Sequence, residues 1–472
     1  MRGVVVHRFG PFELDSASRQ LYRDQMPVRL SSPQSAILAL LVSNRGTIVS
    51  REQLIDAGWG GAAINDNTLN QTIVRLRQLL SGEDSAAAYI ETLPQQGYRF
   101  TAAVQQAEHP GTEATLEVQL APFRAFLEGQ TELDTLDREG IGRARRAYEA
   151  VVREAPDYAP GHIGLATACG LVYEATALDA TPDAGALEIA LLHARAACKL
   201  APSSGEAWSA LAFVLRLSGD AEIAGAAAIK AMHADRQNWR LALRAAYACW
   251  GDDRIEAASQ LLTLRPGLAL GHWFMTTVFI SRGAFTVALR EARAGCAAQD
   301  VQPPGARIPA IGLHLLHGLI LAAHDHLDAA VEEFKRELPW TDSGQLYARE
   351  CAANTWYALG AVYVRQQKRA EAQAAFERAL TIAPRHVSAL AALRGEVGPP
   401  KGGHYIDAAI GQAIVLARGN RHADAARVYE EAVQKAPPGI AGWMLPVEPT
   451  LYPQAHPDLW DRALTIVRNR AT

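Results

Sequence analysis

Residues 66–80 read DNTLNQTIVRLRQLL, and they decide what kind of domain begins this chain. The apolar side chains recur at intervals of three or four, the pattern of a helix with one buried face. The opposite face carries amides and arginines, with no Lys and no Glu in the stretch, whereas a solvent-facing helix usually mixes Glu and Lys. The stretch is therefore either an ordinary surface helix that lacks Glu and Lys or a helix that enters a DNA major groove. The apolar positions are Leu69, Ile73, Leu76 and Leu80, and the polar ones are Asn70, Gln71, Arg75, Arg77 and Gln78.

The length and composition indicate a folded protein of more than one domain. At 472 residues, the chain is long enough for two or more domains. Its 49% hydrophobic and 20% charged residues are ordinary for a globular protein. The net charge is −4, and residues 1–104 hold ten arginines against nine acidic residues. Charge alone would therefore not indicate a nucleic-acid-binding protein.

Cysteine usage and apolar runs indicate a reducing compartment. The five cysteines are dispersed without a C-x-x-C pair, which favours buried thiols over a disulfide framework. The N-terminal apolar run is broken by charge, so no signal peptide is predicted. The apolar run at 268–280 is shorter than the roughly 20 residues needed to span a bilayer. We expect a cytoplasmic, nucleoid-associated protein that makes no membrane contact.

The pattern over residues 1–104 predicts a small α+β domain. Short strands with turn-prone breaks occupy 1–30. Capped apolar stretches predict helices from Ser32 to about Asn44 and from Ser50 to Gly58, before the 66–80 helix. YIETLPQQGYRFTA (89–102) then predicts a closing hairpin. Strands, three helices and a hairpin together make a winged helix-turn-helix.

Nearly all of residues 6–104 resembles the OmpR/PhoB-type winged-helix DNA-binding domain. The resemblance lies in Leu54, the pair Trp59-Gly60, the helix core IVRLRQLL and the closing YIETLPQQGYRF. Gln95 stands where the family pattern has its first wing glycine. The resemblance implies that the third helix lies in the major groove of double-stranded promoter DNA and the wing in the adjacent minor groove.

The same resemblance implies roles for individual side chains. The third helix is expected to read base edges and touch phosphates, and the wing arginine to lie near the minor groove. The family often has Asp-Val where this chain has Asn70-Gln71. That difference suggests another base preference, because Asn and Gln suit adenine. The residues expected at DNA are Asn70, Gln71, Val74 and Arg75 at bases, Arg75, Arg77 and Gln78 at phosphates, and Arg99 in the wing.

The loop after the second helix corresponds to a loop that can contact RNA polymerase in this family. The candidates for this contact are Trp59, Gly60, Ile64 and Asn65. For the Trp59 side chain itself, a place in the domain core is the favoured interpretation.

The rest of the chain predicts helical repeats. Residues 105–115 are polar and contain Pro and Gly, which predicts a linker. Residues 116–440 are rich in alanine, and WYALGAVYVRQQKRAEAQAAFERALTIAP (356–384) matches every signature position of the tetratricopeptide family. We expect seven or eight helix pairs with 441–472 as a C-terminal cap. Such a solenoid forms a superhelix whose concave groove suits a protein or a small ligand. The signature residues are Trp356, Leu359, Gly360, Tyr363, Ala372, Phe376, Ala379 and Pro384.

No other motif in the sequence favours a metal site, a phosphate-binding loop or a catalytic site. A metal site at His314 and His317 is conceivable, because they share a helix face, but no HExxH arrangement occurs. Structural histidines are the favoured interpretation, also for His324 and His326, so no metal and no cofactor are predicted. The stretch 395–404 lacks the G-K-[ST] of a phosphate loop and is interpreted as a loop between repeats. Neither a G-x-S-x-G motif nor a kinase signature occurs, so we expect no enzyme activity.

Together these observations predict an α+β winged helix-turn-helix domain followed by an all-α superhelix. The resemblance is to bacterial transcriptional regulators of OmpR/PhoB type with C-terminal tetratricopeptide repeats, in the arrangement of HilA-like activators. It implies promoter DNA and RNA polymerase as partners, with a protein or small ligand in the repeat groove, and it leaves a homodimer open. A different class of function is a repeat scaffold or chaperone whose winged domain binds protein, which the nearly neutral N-terminal charge favours.

Overall fold

The computed structural model places two compact units in the chain. The first comprises Met1–Ala121 with Leu264–Gly267, and the second comprises Pro122–Thr263 with Leu268–Thr472. A small winged domain and a long helical repeat region follow one another, which confirms the predicted fold class. The structure describes residues 5–15, 19–23, 26–60, 66–80, 89–108, 113–177, 179, 181–303, 306, 308–342, 344–397 and 405–472.

An antiparallel five-stranded sheet opens the first unit, in the order β4-β3-β2-β1-β8. Its last strand was not expected, because Gln105–Glu108 falls in the predicted linker. The Val5–Phe9 strand would otherwise expose its N–H and C=O groups at the sheet edge, and pairing with 105–108 satisfies them. This pairing uses the backbone, so polar composition did not reveal it. The strands are β1 Val5–Phe9, β2 Phe12–Asp15, β3 Gln20–Arg23, β4 Met26–Val28 and β8 Gln105–Glu108.

Three helices of the first unit lie where the sequence predicts them. They are α1 Ser32–Ser43, α2 Arg51–Trp59 and α3 Asp66–Leu80. Capping boxes start the first two, with Ser31 and Gln34 at α1 and Ser50 and Gln53 at α2. The four apolar residues of α3 are buried in the domain core with β-strand aromatics, which confirms the predicted stripe.

The wing is a three-stranded sheet in the order β5-β7-β6, made of β5 Ile48–Val49, β6 Ile90–Leu93 and β7 Gly97–Phe100. Gln95 has a φ of 63° in its turn, so the left-handed geometry is kept although glycine is replaced. Gly97 has a φ of 138°, and a Cβ there would lie 2.1 Å from the Val49 carbonyl oxygen. A side chain at position 97 is therefore excluded by the neighbouring strand.

Helical pairs follow the winged domain. Within the described residues, α4–α17 form seven consecutive pairs and α19 with α20 an eighth, in agreement with the seven or eight expected. The helices are α4 Glu113–Asp134, α5 Arg138–Glu154, α6 Ala159–Thr176, α7 Ala184–Leu200, α8 Gly205–Ser218, α9 Ala221–Ala234, α10 Trp239–Ala248, α11 Gly251–Leu264, α12 Ala269–Ser281, α13 Phe285–Asp300, α14 Leu313–Ala323, α15 Leu327–Glu337, α16 Ala348–Arg365, α17 Arg369–Ile382, α18 Val387–Arg394, α19 Tyr405–Arg418, α20 His422–Lys435 and α21 Pro457–Asn469.

Small residues let the paired helices approach closely. A Cβ on Gly360 of α16 would lie 2.5 Å from the ring of Phe376 of α17. The same contact recurs one repeat earlier, where a Cβ on Gly318 would lie 2.4 Å from the ring of Phe334. Each glycine thus provides the space that an aromatic ring of the partner helix fills, which explains the spacing of the repeat signature.

Contacts within the second unit also join repeats that are distant in sequence. The Leu346 N–H donates to the Leu136 carbonyl oxygen at 2.7 Å. The Tyr347 hydroxyl donates to Glu174 at 2.6 Å, and Arg349 pairs with Asp179 at 2.6 Å. The first helical pairs therefore lie against the segment that leads into α16.

Residues 441–472, expected as an irregular cap, pack against the first helices of several pairs. The segment contains two 3₁₀ turns and then α21. The Tyr357 hydroxyl of α16 donates to the buried Glu448. At the end of α12, the Ser281 hydroxyl donates to the Val467 carbonyl oxygen at 3.2 Å. The segment thus packs against the first helices of at least two pairs, α12 and α16.

No helix in the described part of the chain combines the length and apolar character needed to cross a membrane.

Replacing Gly97 by Ala should destabilise the wing by about 2 kcal/mol or more, because it combines an unfavourable φ with a steric clash. Gly46→Ala is the matched control, since Gly46 has a φ of 78° but open space around it. That change should cost only about 1 kcal/mol. Hydrogen exchange of the β5 and β7 amides in the full chain measures the loss of stability in both variants. Equal protection of these amides in the two variants would contradict the steric argument.

Candidate nucleic-acid interface

The exposed face of α3 gathers five of the seven residues predicted to meet DNA. Burial of the apolar stripe turns the opposite side of the helix to solvent. Val74, at 48% exposure, is an apolar side chain in the middle of this polar face. Such a residue has no packing role in the domain and suits contact with a thymine methyl group. The five exposed residues are Asn70, Gln71, Val74, Arg75 and Gln78.

Arg77 was predicted to contact phosphate, but its side chain turns toward the wing. Its Nε donates to the Ile90 carbonyl oxygen at 2.9 Å, and its Nη2 donates to the Thr92 hydroxyl at 2.7 Å. The guanidinium is half-buried and joins α3 to β6. Arg77 is therefore a positioning residue that sets the wing relative to the helix.

Asn70 was predicted to read a base with its whole amide group. Its Oδ1 accepts hydrogen bonds from the Tyr98 hydroxyl at 2.9 Å and from Arg51 Nη1 at 3.3 Å. Bidentate recognition of adenine needs that oxygen as well as the amide nitrogen. The oxygen is occupied here, so only the N–H groups of Asn70 are available to a partner. Gln71 has no such restriction, because its side chain forms no hydrogen bond within the described residues.

Arg99, the predicted minor-groove residue, pairs with Glu91 on the neighbouring wing strand. The distance from Nη2 to Oε2 is 2.6 Å, and the two residues are directly opposite each other in the β6–β7 ladder. Both side chains are more than one-third exposed, and exposed pairs of this kind contribute about 0–1 kcal/mol. A phosphate could therefore compete with Glu91 for Arg99 at little cost.

Arg51, which the sequence pattern did not single out, lies at this site as well. It follows the cap residue Ser50, and its Nη1 lies within hydrogen-bond distance of Asn70 and of the Tyr98 hydroxyl. A groove of about 380 Å³ between α3 and the wing is lined by Arg51, Val74, Arg77 and the turn at Pro94. The groove thus brings two arginines, one from α2 and one from α3, beside the wing, although the domain is nearly neutral.

Of the four polymerase-contact candidates, Trp59 and Gly60 lie within the described residues and the other two do not. Trp59 ends α2 and is half-buried against the domain core, as its favoured interpretation expects. Gly60 closes the helix with a φ of 64°. Ile64 and Asn65 lie outside the described residues. Polymerase contact therefore stays a prediction.

The second unit contains a cavity of about 940 Å³. Trp273 and Phe274 of α12 line it together with Trp443 and Met444 of the C-terminal segment. The cavity therefore lies between the helical repeats and the C-terminal segment.

Arg254 is the most buried cation of the cavity lining, at 2% exposure. It donates to the carbonyl oxygens of Cys249 at 2.9 Å and Tyr247 at 3.1 Å, and to the Thr277 hydroxyl at 3.1 Å. No carboxylate contacts it in the described part of the chain. Burial and then the neighbouring Arg216 lower the pKa of Arg254 to about 9.

Two families match parts of this chain. Residues 25–100 match the family described as transcriptional regulatory protein, C terminal, and residues 353–386 match the tetratricopeptide repeat. The chain therefore combines an OmpR/PhoB-type winged-helix domain with tetratricopeptide repeats, as its sequence predicts.

Known proteins resemble the N-terminal part. The transcriptional regulator HilA of Salmonella typhimurium is 36% identical over 113 residues, which are 24% of this chain and 20% of that protein. The cholera toxin transcriptional activator of Vibrio cholerae is 35% identical over 83 residues, 17% of this chain and 28% of that protein. The DNA-binding domain of Escherichia coli CadC is 24% identical, with a TM-score of 0.21, covering 22% of this chain and 100% of that one. The chain thus matches less than a third of the length of the two regulators.

Arg77→Ala should loosen the wing, since it removes two hydrogen bonds to β6 from a charged donor, each worth about 1.5–3 kcal/mol. Hydrogen exchange at residues 90–93 of the full chain should become faster. Arg75→Ala, which removes the same charge from the exposed face two residues away, serves as the control and should leave that exchange unchanged. Identical exchange in both variants would show that Arg77 does not position the wing.

Proposed function

We propose that this protein is a sequence-specific DNA-binding transcriptional regulator, with α3 in the major groove and the β6–β7 wing in the adjacent minor groove. The observation that carries the proposal is the exposed face of α3, which carries amides and arginines and no Glu or Lys. A buried apolar stripe holds this face outward, and the groove lined by Arg51 and Arg77 lies beside it at the wing. The match of residues 25–100 to a family of transcriptional regulatory proteins supports it.

Several side chains of this surface then have distinct roles. Gln71 keeps both its oxygen and its amide nitrogen available for adenine, and Val74 suits a thymine methyl group. Arg75 has its full set of N–H donors for guanine or phosphate, because it forms no hydrogen bond within the described residues. Asn70 contributes N–H groups only, and Arg99 reaches phosphate after it leaves Glu91.

Selection of binding sites from random DNA duplexes, using the full chain, tests this proposal. The selected duplex should bind far more tightly than unrelated DNA, and raising the salt concentration should weaken both complexes. Arg75→Ala should lower the slope of log affinity against log salt by about 1 if Arg75 holds a phosphate. If it reads guanine, the preference at one base should relax instead, by about 1–3 kcal/mol.

The charge-matched control is Arg378→Ala, which removes an exposed arginine of α17 in the second unit. This variant should bind DNA like the unchanged chain. If no duplex is enriched, or if Arg75→Ala alters neither the slope nor the base preference, α3 is not a reading helix. The alternative of a repeat scaffold with a protein-binding winged domain would then be favoured.

We further propose that the repeats hold a small amphipathic anion as the effector of this regulator. The C-terminal segment packs against the repeats, and the cavity between them is within the roughly 300–1,000 Å³ typical of small-molecule sites. Aromatic side chains provide the apolar contact. The lining also contains acidic residues, of which Glu174 is bonded to Tyr347 and Asp179 to Arg349. Arg254, by contrast, is buried without a carboxylate partner, and Arg216 lies beside it. A buried cation of this kind is stabilised by an anionic ligand.

Two fluorescent probes separate the charge from the apolar contact. Anilinonaphthalene sulfonate, an aromatic anion, should bind the full chain with one site, and Arg216→Gln should weaken it by about 10-fold or more. The neutral analogue N-phenyl-naphthylamine should bind both forms equally. Arg378→Gln is the control for loss of an arginine elsewhere. An anion site would be contradicted if Arg216→Gln weakened the binding of both probes equally, or if it weakened the binding of neither.

Promoter activation through RNA polymerase and binding as a homodimer stay predictions that go with this function, as does a cytoplasmic location. The action proposed for each unit is binding, and no step of catalysis is needed for it.

A further inference from the structure

Three consecutive helices of the second unit meet at a cluster of side chains that can bind a metal. Cys296 comes from α13, His317 from α14 and Glu333 from α15. One ligand atom from each, the Cys296 Sγ, a His317 ring nitrogen and a Glu333 oxygen, lie within 4.8 Å of one another. The cluster is mostly buried, with Cys296 at 6% and His317 at 8% exposure.

His317 has no partner that satisfies its ring. Both nitrogens are buried, and neither forms a hydrogen bond in the described part of the chain. The Nδ1 atom lies 3.2 Å from Glu333 Oε2, but this contact lacks hydrogen-bond geometry. Glu333 therefore stabilises the ring as a charged neighbour, while both ring nitrogens remain without a well-aligned hydrogen bond and can accept a further partner.

His314 lies one helical turn before His317 and is fully buried. Its Nδ1 is 2.6 Å from the same Glu333 oxygen, and its Nε2 is 2.9 Å from Asp300 Oδ1. Histidines that ligate metals through one nitrogen commonly donate the other N–H to a carboxylate, which fixes the ring. Asp300 is placed to do this for His314. The second Glu333 oxygen faces Arg336 at 3.3 Å, which leaves Oε2 for the cluster.

We propose that Cys296, His317 and Glu333, with His314 as the fourth ligand, bind one divalent cation of the Zn²⁺ class. Thiolate and imidazole ligands favour Zn²⁺ and its transition-metal neighbours over Mg²⁺ and Ca²⁺. When Cys296 loses its proton, its thiolate and the Glu333 carboxylate together neutralise the charge of the ion. The bond lengths of such sites place tetrahedral ligand atoms roughly 3.5 Å apart. The ligand atoms of Cys296, His317 and Glu333, which lie within 4.8 Å of one another, would therefore draw closer around a bound ion.

A similar pair in the preceding repeat shows what the cluster adds. His272 of α12 lies 3.0 Å from Glu291 of α13, with the same separation along the chain as His314 and Glu333. A lone histidine–carboxylate pair is therefore a packing element of these repeats. Of these two pairs, the later one alone has a cysteine and a second histidine beside it. Because the ligands come from three helices, a bound metal would cross-link two consecutive repeats.

Cobalt titration of the metal-free full chain tests the site, because Co²⁺ replaces Zn²⁺ and is coloured. One equivalent of Co²⁺ should produce a sulfur-to-cobalt charge-transfer band together with the visible bands of tetrahedral cobalt, and Zn²⁺ should displace it. Cys296→Ser should abolish the charge-transfer band. His317→Gln should weaken binding by about 100-fold or more, and Asp300→Asn by about 10–100-fold, as expected for an outer hydrogen-bond partner.

Two variants serve as matched controls. Cys198→Ser removes a half-exposed cysteine of α7, and His272→Gln removes the histidine of the simple pair. Both should bind cobalt like the unchanged chain. Circular dichroism of each variant in the presence of a chelator establishes that it is folded.

Thiol alkylation of the unsubstituted chain gives a result that does not depend on the folding of a variant. Zn²⁺ should slow the reaction of Cys296 with iodoacetamide, followed by mass spectrometry, and should leave Cys198 unaffected. The proposal is overturned if no stoichiometric cobalt binds, if the charge-transfer band survives Cys296→Ser, or if Zn²⁺ does not protect Cys296. The cluster would then be a charged histidine–carboxylate network without metal.

Discussion

The close approach of paired helices is the constraint on which most of the second unit depends. Where Gly318 and Gly360 face Phe334 and Phe376, the axes come near enough for the aromatic ring to fill the space of a missing side chain. Repetition of this contact turns the helices into a superhelix with a continuous inner face. The Cys296 cluster results from it, because its side chains come from three stacked helices, and so does the repeat side of the cavity.

In the first unit, packing likewise determines function, because burial of the apolar residues fixes which side chains of α3 remain exposed. Four apolar residues fix α3 to the core, and Arg77 then joins the helix to β6. What remains exposed is a short row around Gln71, Val74 and Arg75. Asn70 and Arg99 already have partners within the domain, Tyr98 and Glu91, so their side chains are held in place without a ligand. Before either one binds DNA fully, it must give up such a contact, whereas Gln71 and Arg75 need not.

Local patterns made much of this structure predictable. The α3 stripe, the capped helices and the repeat signature are all set by residues within a few positions of one another. The prediction was incomplete where a partner lies far along the chain. Arg77 bonds to strand β6, Asn70 to Tyr98, and the 105–108 strand to β1, none of which periodicity can show. For the same reason the shared face of His314 and His317 made a metal site conceivable in the sequence but did not favour it, because Cys296 and Glu333 belong to other helices.

The C-terminal segment bears on what the repeats can bind. An open concave face would suit an extended peptide, which needs a long accessible groove. Here Tyr357 and Ser281, on the first helices of two different pairs, are bonded to residues between 448 and 467. A peptide would have to displace a segment whose Trp460 and Leu445 are buried in the repeat core, with loss of that apolar burial. A small ligand in the remaining cavity requires no such displacement, and its contacts with Trp443 and Met444 would add to those that hold the segment in place.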